Sequence, residues 1–356
     1  MENIVIVATS KIDAVTYNIA PKQLEHSVWG FRLPDSQTDV LTTLLTQLDN
    51  SVRDCVNTVI VSSGQGDSHV KNRLFELEKI QHKPRARPRD AIISTGSNLP
   101  LLITKFIPTA NDIFQIEAAC ASSLKALELA SMIARESPQV VLLTAIDFST
   151  APYVLYVFNS VGAVATGEKY YSPFDTSRAG FAMGEGAALI GVCTASYARE
   201  KNLPVLAVID AVGSFTQSNH ATMPAEFLPL SNFLENLLTK SNRKLEEFAY
   251  WDAHATATPV GDQQEYEIFS HLFESIPISS YKGHIGHCLA ACGMIEIVNA
   301  IEHLQQHRVP STHGIISAMV DDPRLITSPQ STLNRTFIKC SFGFAGRNAA
   351  IVITVE

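Results

Sequence analysis

The cysteines and histidines of this sequence are the side chains best suited to nucleophilic chemistry. Cys120 follows an apolar segment and precedes Ala121, Ser122 and Ser123, which begin a helical pattern. At a helix N-terminus, free N–H groups and the helix dipole stabilise a thiolate. The same place also suits a small cysteine buried among alanines, because cysteine is among the most buried residue types. Cys120 alone leaves both interpretations open.

His254 stands at the end of an apolar strand pattern, in the segment WDAHATATPVGDQQE (residues 251–265). Two threonines follow it, so the imidazole is placed to donate hydrogen bonds to a ligand, although a lone histidine is more often a core residue. Asp262 and Glu265 have the spacing of a capping box, which predicts that Asp262 caps the next helix. That role would be structural.

His287 opens a helix rich in glycine and alanine within SYKGHIGHCLAACG (residues 280–293), and such a helix can be approached closely by another backbone. Four potential zinc ligands cluster there: His284, His287, Cys288 and Cys292. Adjacent residues diverge on a helix, and closed zinc sites favour wider paired spacing. We therefore expect no metal site.

The composition indicates a protein with a large core, because 46% of the residues are hydrophobic and 17% are charged. The net charge of -8 argues against general nucleic-acid binding, which requires a basic field. No stretch approaches the roughly 18 apolar residues of a membrane span. The start, MENIVIVATSKID, is typical of a buried strand rather than a secretory signal, so we expect a cytoplasmic protein with reduced cysteines.

Apolar, strand-like runs alternate with helical patterns along the chain. Strands are predicted at Asp112–Ile116, before Cys120, and at Phe248–Asp252, before His254. A helix is predicted at Leu289–His303, after His287. This alternation favours an α/β fold with sheets buried on both faces.

A weak internal duplication divides the chain near Glu200–Pro204. In each part a strand leads through a short turn into a helix of small residues, IEAACASSLKALELA and HIGHCLAACGMIEIVNAI. We expect an N-terminal half, residues 1–203, which carries the nucleophilic cysteine. Residues 204–356 would form a C-terminal half with the two histidines and the lysine.

Five segments, in order, resemble motifs of the β-ketoacyl synthases of fatty acid and polyketide assembly, a branch of the thiolase superfamily. They are the Cys120 segment, YSPFDTSRAGFAMGEGAALI (residues 171–190), HATATPVGD (254–262), KGHIGH (282–287) and SFGFAGRN (341–348). Each alone is moderately specific, but five in order are highly specific. The resemblance runs from about Pro84 to the C-terminus and implies a thiolase-like five-layered αβαβα fold with two pseudo-duplicated halves.

The resemblance also implies catalytic roles. Cys120 would take the acyl group as a thioester, and its backbone N–H would form the oxyanion hole with that of Phe344. His254 and His287, as neutral imidazoles, would assist decarboxylation of a malonyl unit and stabilise the enolate. A thiolate suits this task independently, because it is a good nucleophile and a good leaving group.

Supporting roles follow from the same motifs. Lys282 and Glu296 would form an ion pair that sets the electrostatics of the histidines. Thr256 and Thr258 would bind the amides of a phosphopantetheine arm. Phe342 would gate the acyl pocket together with the phenylalanine of the oxyanion hole.

Several positions depart from the family pattern. Alanine replaces glycine in the first histidine motif, the last motif has alanine and arginine for glycine and threonine, and alanines flank the cysteine where hydroxyl residues are usual: Ala255, Ala257, Ala345, Arg347, Ala119 and Ala121. We expect the added methyl groups to stiffen the gating loop or narrow the pocket.

The motifs predict a β-ketoacyl–acyl carrier protein synthase, an acyltransferase of fatty acid or type II polyketide or polyene-like biosynthesis. It would load an acyl group on Cys120 and condense it with malonyl-carrier protein, with no cofactor beyond the carrier's phosphopantetheine. The alternative is a chain-length-factor-like partner subunit, but such subunits usually lose the cysteine. Lys282 and His287 argue against a thiolase or a ketosynthase III-type starter enzyme.

Two kinds of protein partner are expected. The chain would form a homodimer, or a heterodimer with a ketosynthase-like or chain-length-factor-like chain, with strand 112–116 continuing the sheet across the seam. An acidic acyl carrier protein would dock on the basic run HKPRARPRD, which contains Lys83, Arg85, Arg87 and Arg89. The open alternative for this run is ordinary solvated surface.

Overall fold

The computed structural model of the chain describes residues 2–64, 68–81, 98–217 and 226–356. The predicted docking residues Lys83, Arg85, Arg87 and Arg89 lie outside the described residues. The strands are β1 (Ile4–Ile12), β2 (Lys22–Gln23), β3 (Trp29–Phe31), β4 (Val56–Ser62), β5 (Asp112–Ile116), β6 (Val140–Phe148), β7 (Met183–Thr194), β8 (Ala207–Thr216), β9 (Phe248–Asp252), β10 (Ile278–Ser279), β11 (Arg308–Val309), β12 (Gln330–Ser331), β13 (Thr336–Gly343) and β14 (Arg347–Val355).

The helices lie between these strands. They are α1 (Gln37–Gln47), α2 (Asn50–Arg53), α3 (Ser68–Gln81), α4 (Asn98–Phe106), α5 (Ser122–Glu136), α6 (Pro152–Ser160), α7 (Ala195–Glu200), α8 (Phe227–Ser241), α9 (Pro259–Leu272), α10 (Lys282–Ile285) and α11 (Cys292–Gln305). Short 3₁₀ segments at Leu289–Ala291 and Phe344–Gly346 flank the site described below. Among the described residues, no helix is both long enough and apolar enough to cross a bilayer.

Two groups of five strands repeat one topology. The first group has the order β5-β4-β6-β7-β1, and the second has the order β10-β9-β13-β14-β8. In each group the first three strands are parallel and the remaining neighbours are antiparallel. The groups meet where β1 pairs with β8, from Ile4–Ile209 to Ile6–Ala207. This repeat agrees with the predicted pseudo-duplicated halves, while the boundary at residues 203/204 stays a prediction.

Helices fill the space between the two groups and cover their outer faces. The central helices α5 and α11 pack against each other, α5 also against β6 and β8, and α11 also against β7 and β13. Outside, α1 packs on β1 and β7, and α8 packs on β8 and β14. The layers therefore run helix, sheet, helix, sheet, helix, as the predicted αβαβα fold requires.

The central strands have continuous apolar runs because both of their faces are covered. All nine residues of β6, VVLLTAIDF, are buried, and so are all twelve residues of β7. Side chains that follow such buried strands are held in fixed positions. The nucleophile turn follows β5, and the first histidine follows β9.

The capping prediction for Asp262 is wrong. Helix α9 begins at Pro259, with Thr258 as its N-cap, because proline suits the first helical position, where no intrahelical N–H bond is needed. Asp262 lies inside the first turn, and its carboxylate accepts the backbone N–H groups of Thr256 (2.9 Å) and Phe174 (2.9 Å). It therefore fixes the loop before the helix instead of capping the helix.

Candidate active site

Three predicted side chains converge at the centre of the molecule. Cys120 Sγ lies 3.0 Å from His287 Nε2. The rings of His254 and His287 meet edge to face, with centroids 5.6 Å apart. The sulfur and one nitrogen of each ring all lie within 4.8 Å of one another. A thiol in contact with an imidazole is the arrangement of an activated nucleophile.

The zinc set considered from the sequence does not assemble. Among the described residues, the group with metal-compatible spacing is instead Cys120, His254 and His287. Its Sγ–Nε2 separation of 3.0 Å is a hydrogen-bond contact, and zinc also binds thiolates and imidazoles. These three residues could therefore hold a metal or act as a nucleophile with two imidazoles.

A tight turn places Cys120 just before helix α5. Ala119 has a left-handed backbone (φ 49°), and the Ser122 hydroxyl accepts the Ala118 N–H at 2.7 Å and donates to the Ala119 carbonyl at 2.6 Å. The thiol is thus near a helix N-terminus, as predicted. Gly343 lets the β13–β14 hairpin approach, because a Cβ there would lie only 3.2 Å from the Cys120 nitrogen.

His254 is held by a buried carboxylate that the sequence analysis assigned to capping. Glu265 accepts the backbone N–H groups of His254 and Ala255, each at 2.7 Å, and the indole N–H of Trp251 at 3.0 Å. The His254 ring remains open to a ligand, since its buried Nδ1 has no hydrogen-bond partner in the described part of the chain. The sequence places Glu265 eleven residues after His254, but only the loop geometry shows that its carboxylate holds the backbone at His254.

The middle motif of the family resemblance positions His287. The His287 N–H donates to the Ala182 carbonyl at 2.7 Å, and the Gly184 N–H donates back to the His287 carbonyl at 3.0 Å. Gly286, at φ 71°, permits this approach, because a Cβ there would lie 2.9 Å from the Ala182 oxygen. His287 Nδ1 lies 3.2 Å from Cys292 Sγ. His287 therefore sits between two thiols.

A buried network of four charged side chains lies behind the histidines. Lys282 Nζ is 2.6 Å from one oxygen of Glu296, and Lys339 Nζ is 2.7 Å from the other. Lys339 also lies 3.5 Å from Asp252 Oδ1. The predicted Lys282–Glu296 pair is thus present, but Lys339 and Asp252 were missed. The available signal was a lysine within the apolar strand FIKCS, since lysine is rarely buried without a partner.

The two histidines differ in their electrostatic surroundings. Burial, followed by the nearby charges of Lys282, His287 and Lys339, holds the pKa of His254 well below its ordinary value. Burial also lowers the pKa of His287, but Cys120 and Cys292 outweigh it and raise that pKa to about 10. The lowered pKa of His254 agrees with the expectation of a neutral imidazole. The raised pKa of His287 does not.

A cavity of about 360 Å³ opens onto this centre. Its lining includes seven predicted residues: Cys120, His254, His287, Thr256, Thr258, Phe342 and Phe344. Lys282 and Glu296 lie behind it, 2% and 0% exposed. The wall is largely apolar beside the sulfur, which suits an acyl chain.

The structure shows the backbone conformation or the contacts of four residues that depart from the family pattern. Ala119, Ala257 and Ala345 all adopt left-handed backbones, at φ 49°, 66° and 58°. Arg347 Nη1 donates to the Glu117 carbonyl at 2.8 Å and lies 3.1 Å from its carboxylate. Arg347 thus ties the turn that contains Phe344 to the segment before the nucleophile, while the expected effect of the added methyl groups stays a prediction.

Comparison with known proteins identifies the same family in both halves. Residues 109–198 match "Beta-ketoacyl synthase, N-terminal domain" and residues 206–315 match "Beta-ketoacyl synthase, C-terminal domain", together more than half of the chain. The chain is 27% identical over 307 residues to 3-oxoacyl-[acyl-carrier-protein] synthase II, chloroplastic, of Arabidopsis thaliana. That match covers 83% of this chain and 56% of the relative, so the chain spans little more than half of the relative's length. The cytoplasmic location stays a prediction.

Solved structures establish the fold. A β-ketoacyl synthase from Burkholderia phymatum superposes with a TM-score of 0.85 at 20% identity, covering 100% of both chains. The ishigamide ketosynthase/chain length factor superposes with a TM-score of 0.83 at 16% identity, covering 100% of this chain and 99% of the other. The predicted thiolase-like fold is confirmed.

Proposed function

The chain belongs to the β-ketoacyl synthase family of the thiolase superfamily, and we propose that it is a β-ketoacyl–acyl carrier protein synthase. The observation that carries the proposal is the contact of Cys120 Sγ with His287 Nε2 at 3.0 Å, beside His254 on an acyl-sized cavity. The complete set of cysteine and two histidines favours an enzyme over a chain-length-factor-like subunit.

The first half-reaction would be acyl transfer to Cys120. The thiolate attacks the thioester carbonyl of the acyl carrier, and the resulting oxyanion accepts the backbone N–H groups of Cys120 and Phe344. The C–S bond to the carrier then breaks, and the departing thiolate takes a proton from His287. The raised pKa of His287 supports this role, because the ring is protonated near neutral pH.

The second half-reaction would be decarboxylative condensation. His287 first regains from solvent the proton that it gave to the departing thiolate. The carboxylate–Cα bond of the malonyl thioester then breaks, CO₂ leaves, and the electron pair forms an enolate whose oxygen accepts hydrogen bonds from His254 and His287. The enolate carbon attacks the Cys120 thioester, and the sulfur departs as a thiolate. The lowered pKa of His254 keeps the ring neutral, so its N–H can donate a hydrogen bond to the enolate without transferring a proton to it.

The substrate arm would be the phosphopantetheine of a carrier protein, with no separate cofactor. Thr256 and Thr258 support this, because both line the cavity and their hydroxyl oxygens lie 3.2 Å apart. They would bind the amides of the arm. The run Lys83–Arg89 remains the proposed carrier-docking surface, and fatty acid, type II polyketide or polyene-like assembly is the proposed setting.

A dimer is proposed, either with a second copy or with a ketosynthase-like or chain-length-factor-like chain. Strand β5 (Asp112–Ile116) stands at the end of the described strand order, and Phe114 on it is 45% exposed. An open, partly apolar strand edge supports pairing with another chain. The two halves, residues 1–203 and 204–356, would each supply part of every site.

The test is mass spectrometry of the intact protein after incubation with acyl carrier protein thioesters. We expect one acyl adduct, mapped to Cys120, and a β-ketoacyl product after malonyl carrier protein is added. Cys120→Ala should give neither, and Cys340→Ala is the matched buried control. Condensation at a normal rate by Cys120→Ala would refute the assignment, and an inert but folded wild-type protein would favour the partner-subunit alternative.

A further inference from the structure

Lys339 is a fully buried lysine that the proposed reaction does not use. It lies near the middle of β13 and is 0% exposed. Its ammonium contacts the carboxylate of Glu296 at 2.7 Å and the backbone carbonyl of Ala253 at 3.0 Å, with Asp252 Oδ1 at 3.5 Å. The Ala253 carbonyl immediately precedes His254.

Lys339 is not needed to neutralise the charge of Glu296. Lys282 already pairs with Glu296 at 2.6 Å, so that pair would be neutral without a second lysine. Burying another ammonium group costs desolvation free energy, and an apolar side chain of similar volume often stabilises a core at least as well. The additional charges, Lys339 and Asp252, are thus poorly explained by stability.

We propose that Lys339 is a positioning residue for His254. Its ammonium joins the carbonyl before His254 to Glu296 on α11, and Glu296 is joined in turn to Lys282 near His287. The Lys282 carbonyl accepts the Gly286 N–H at 2.9 Å, so one chain of contacts joins the backbone next to His254 to the backbone next to His287. The inference rests on the proposed function in that His254 acts in malonyl decarboxylation.

The charges around His254 agree with this role. Lys282 and His287 face it from residues 280–293, and Lys339 faces it from β13. Cys120 lies beside His254 in the turn before α5. Glu265 on α9 accepts the backbone N–H of His254. Burial and the neighbouring cations lower the pKa of His254, so loss of Lys339 should raise that pKa.

The experiment compares three variants. Lys339→Met removes the cation at similar volume. Asp252→Asn with Lys339→Met removes the lysine together with its carboxyl neighbour, whose pKa burial raises to about 7, and leaves the Lys282–Glu296 pair balanced. Lys11→Met is the matched control, because Lys11 also forms ion pairs, with Asp13 at 3.2 Å and Glu302 at 3.5 Å, has a side chain only 9% exposed and lines no part of the cavity.

The readouts separate positioning from stability. Lys339→Met should decarboxylate malonyl thioester roughly 10- to 100-fold more slowly, while Cys120 acylation stays within about threefold of wild type. The acidic limb of the decarboxylation profile should move to higher pH, since protonated His254 becomes easier to form. The double variant should regain the wild-type urea midpoint but not the decarboxylation rate. Lys11→Met should leave both half-reactions unchanged.

An NMR titration of the His254 ring, assigned with His254→Asn, gives a readout that needs no turnover. An unchanged His254 titration in Lys339→Met, or wild-type decarboxylation by the double variant, would overturn the inference. If the wild-type protein fails to acylate Cys120 while the His254 titration still moves as expected, the proposed function falls and the role of Lys339 at His254 stands.

Discussion

Replacing Glu265 with glutamine tests how the first histidine is held. The carboxylate accepts three buried donors, two of them the backbone N–H groups of His254 and Ala255 at 2.7 Å. The glutamine oxygen can still accept on one side, but the amide NH₂ on the other side meets the Ala255 N–H, donor against donor. Losing one bond to a charged acceptor and leaving a buried donor unpaired should cost about 3 kcal/mol.

The consequence for catalysis should be selective. A shifted His254 should slow malonyl decarboxylation by roughly 10- to 100-fold, whereas acylation of Cys120, which depends on His287, should change little. Urea unfolding gives the free energy of unfolding, and the two half-reactions are measured separately. Glu267→Gln, two residues further along the same helix and on its exposed side, is the matched control. A stable Glu265→Gln protein that decarboxylates normally would refute the reasoning.

Three further predictions concern stability and pH. Cys120→Ala should keep its fold, with a urea midpoint close to that of wild type, because alanine already flanks this position on both sides. Ala345→Gly and Ala257→Gly should each stabilise the protein by about 1 kcal/mol, measured by urea unfolding, since left-handed alanine is strained; destabilisation would contradict this. The folded pKa of His287, about 10, exceeds its unfolded value of about 6.5. Its stabilisation is therefore complete below about pH 6.5 and lost as the pH rises towards 10. His287→Ala should flatten thermal stability over that window, and equal slopes would contradict the assignment.

The reacting side chains could be predicted from the sequence, but two of the buried charged residues that position them could not. Cys120, His254 and His287 lie in motifs whose order along the chain is specific, so the fold and the convergence of these side chains could be anticipated. Glu265 could not be interpreted, because its spacing from Asp262 fits a capping box as well as a loop anchor. The apolar strand around Lys339 indicated a buried lysine, but its partners could not be identified, since they come from elements distant along the chain. Local pattern predicts an element, whereas a buried charge acquires its meaning only from tertiary contacts.

The position of β14 within the sheet has a consequence for synthesis on the ribosome. Residues 347–355 form a strand between β13 and β8, so the second group of strands stays open until this segment emerges. Before that point, the first group of strands, β5-β4-β6-β7-β1, can pair, while the edge of β8 that will face β14 remains unpaired. Long-range pairing of this kind is slow and exposes edges to aggregation. A nascent chain stalled before residue 347 should therefore need chaperone protection.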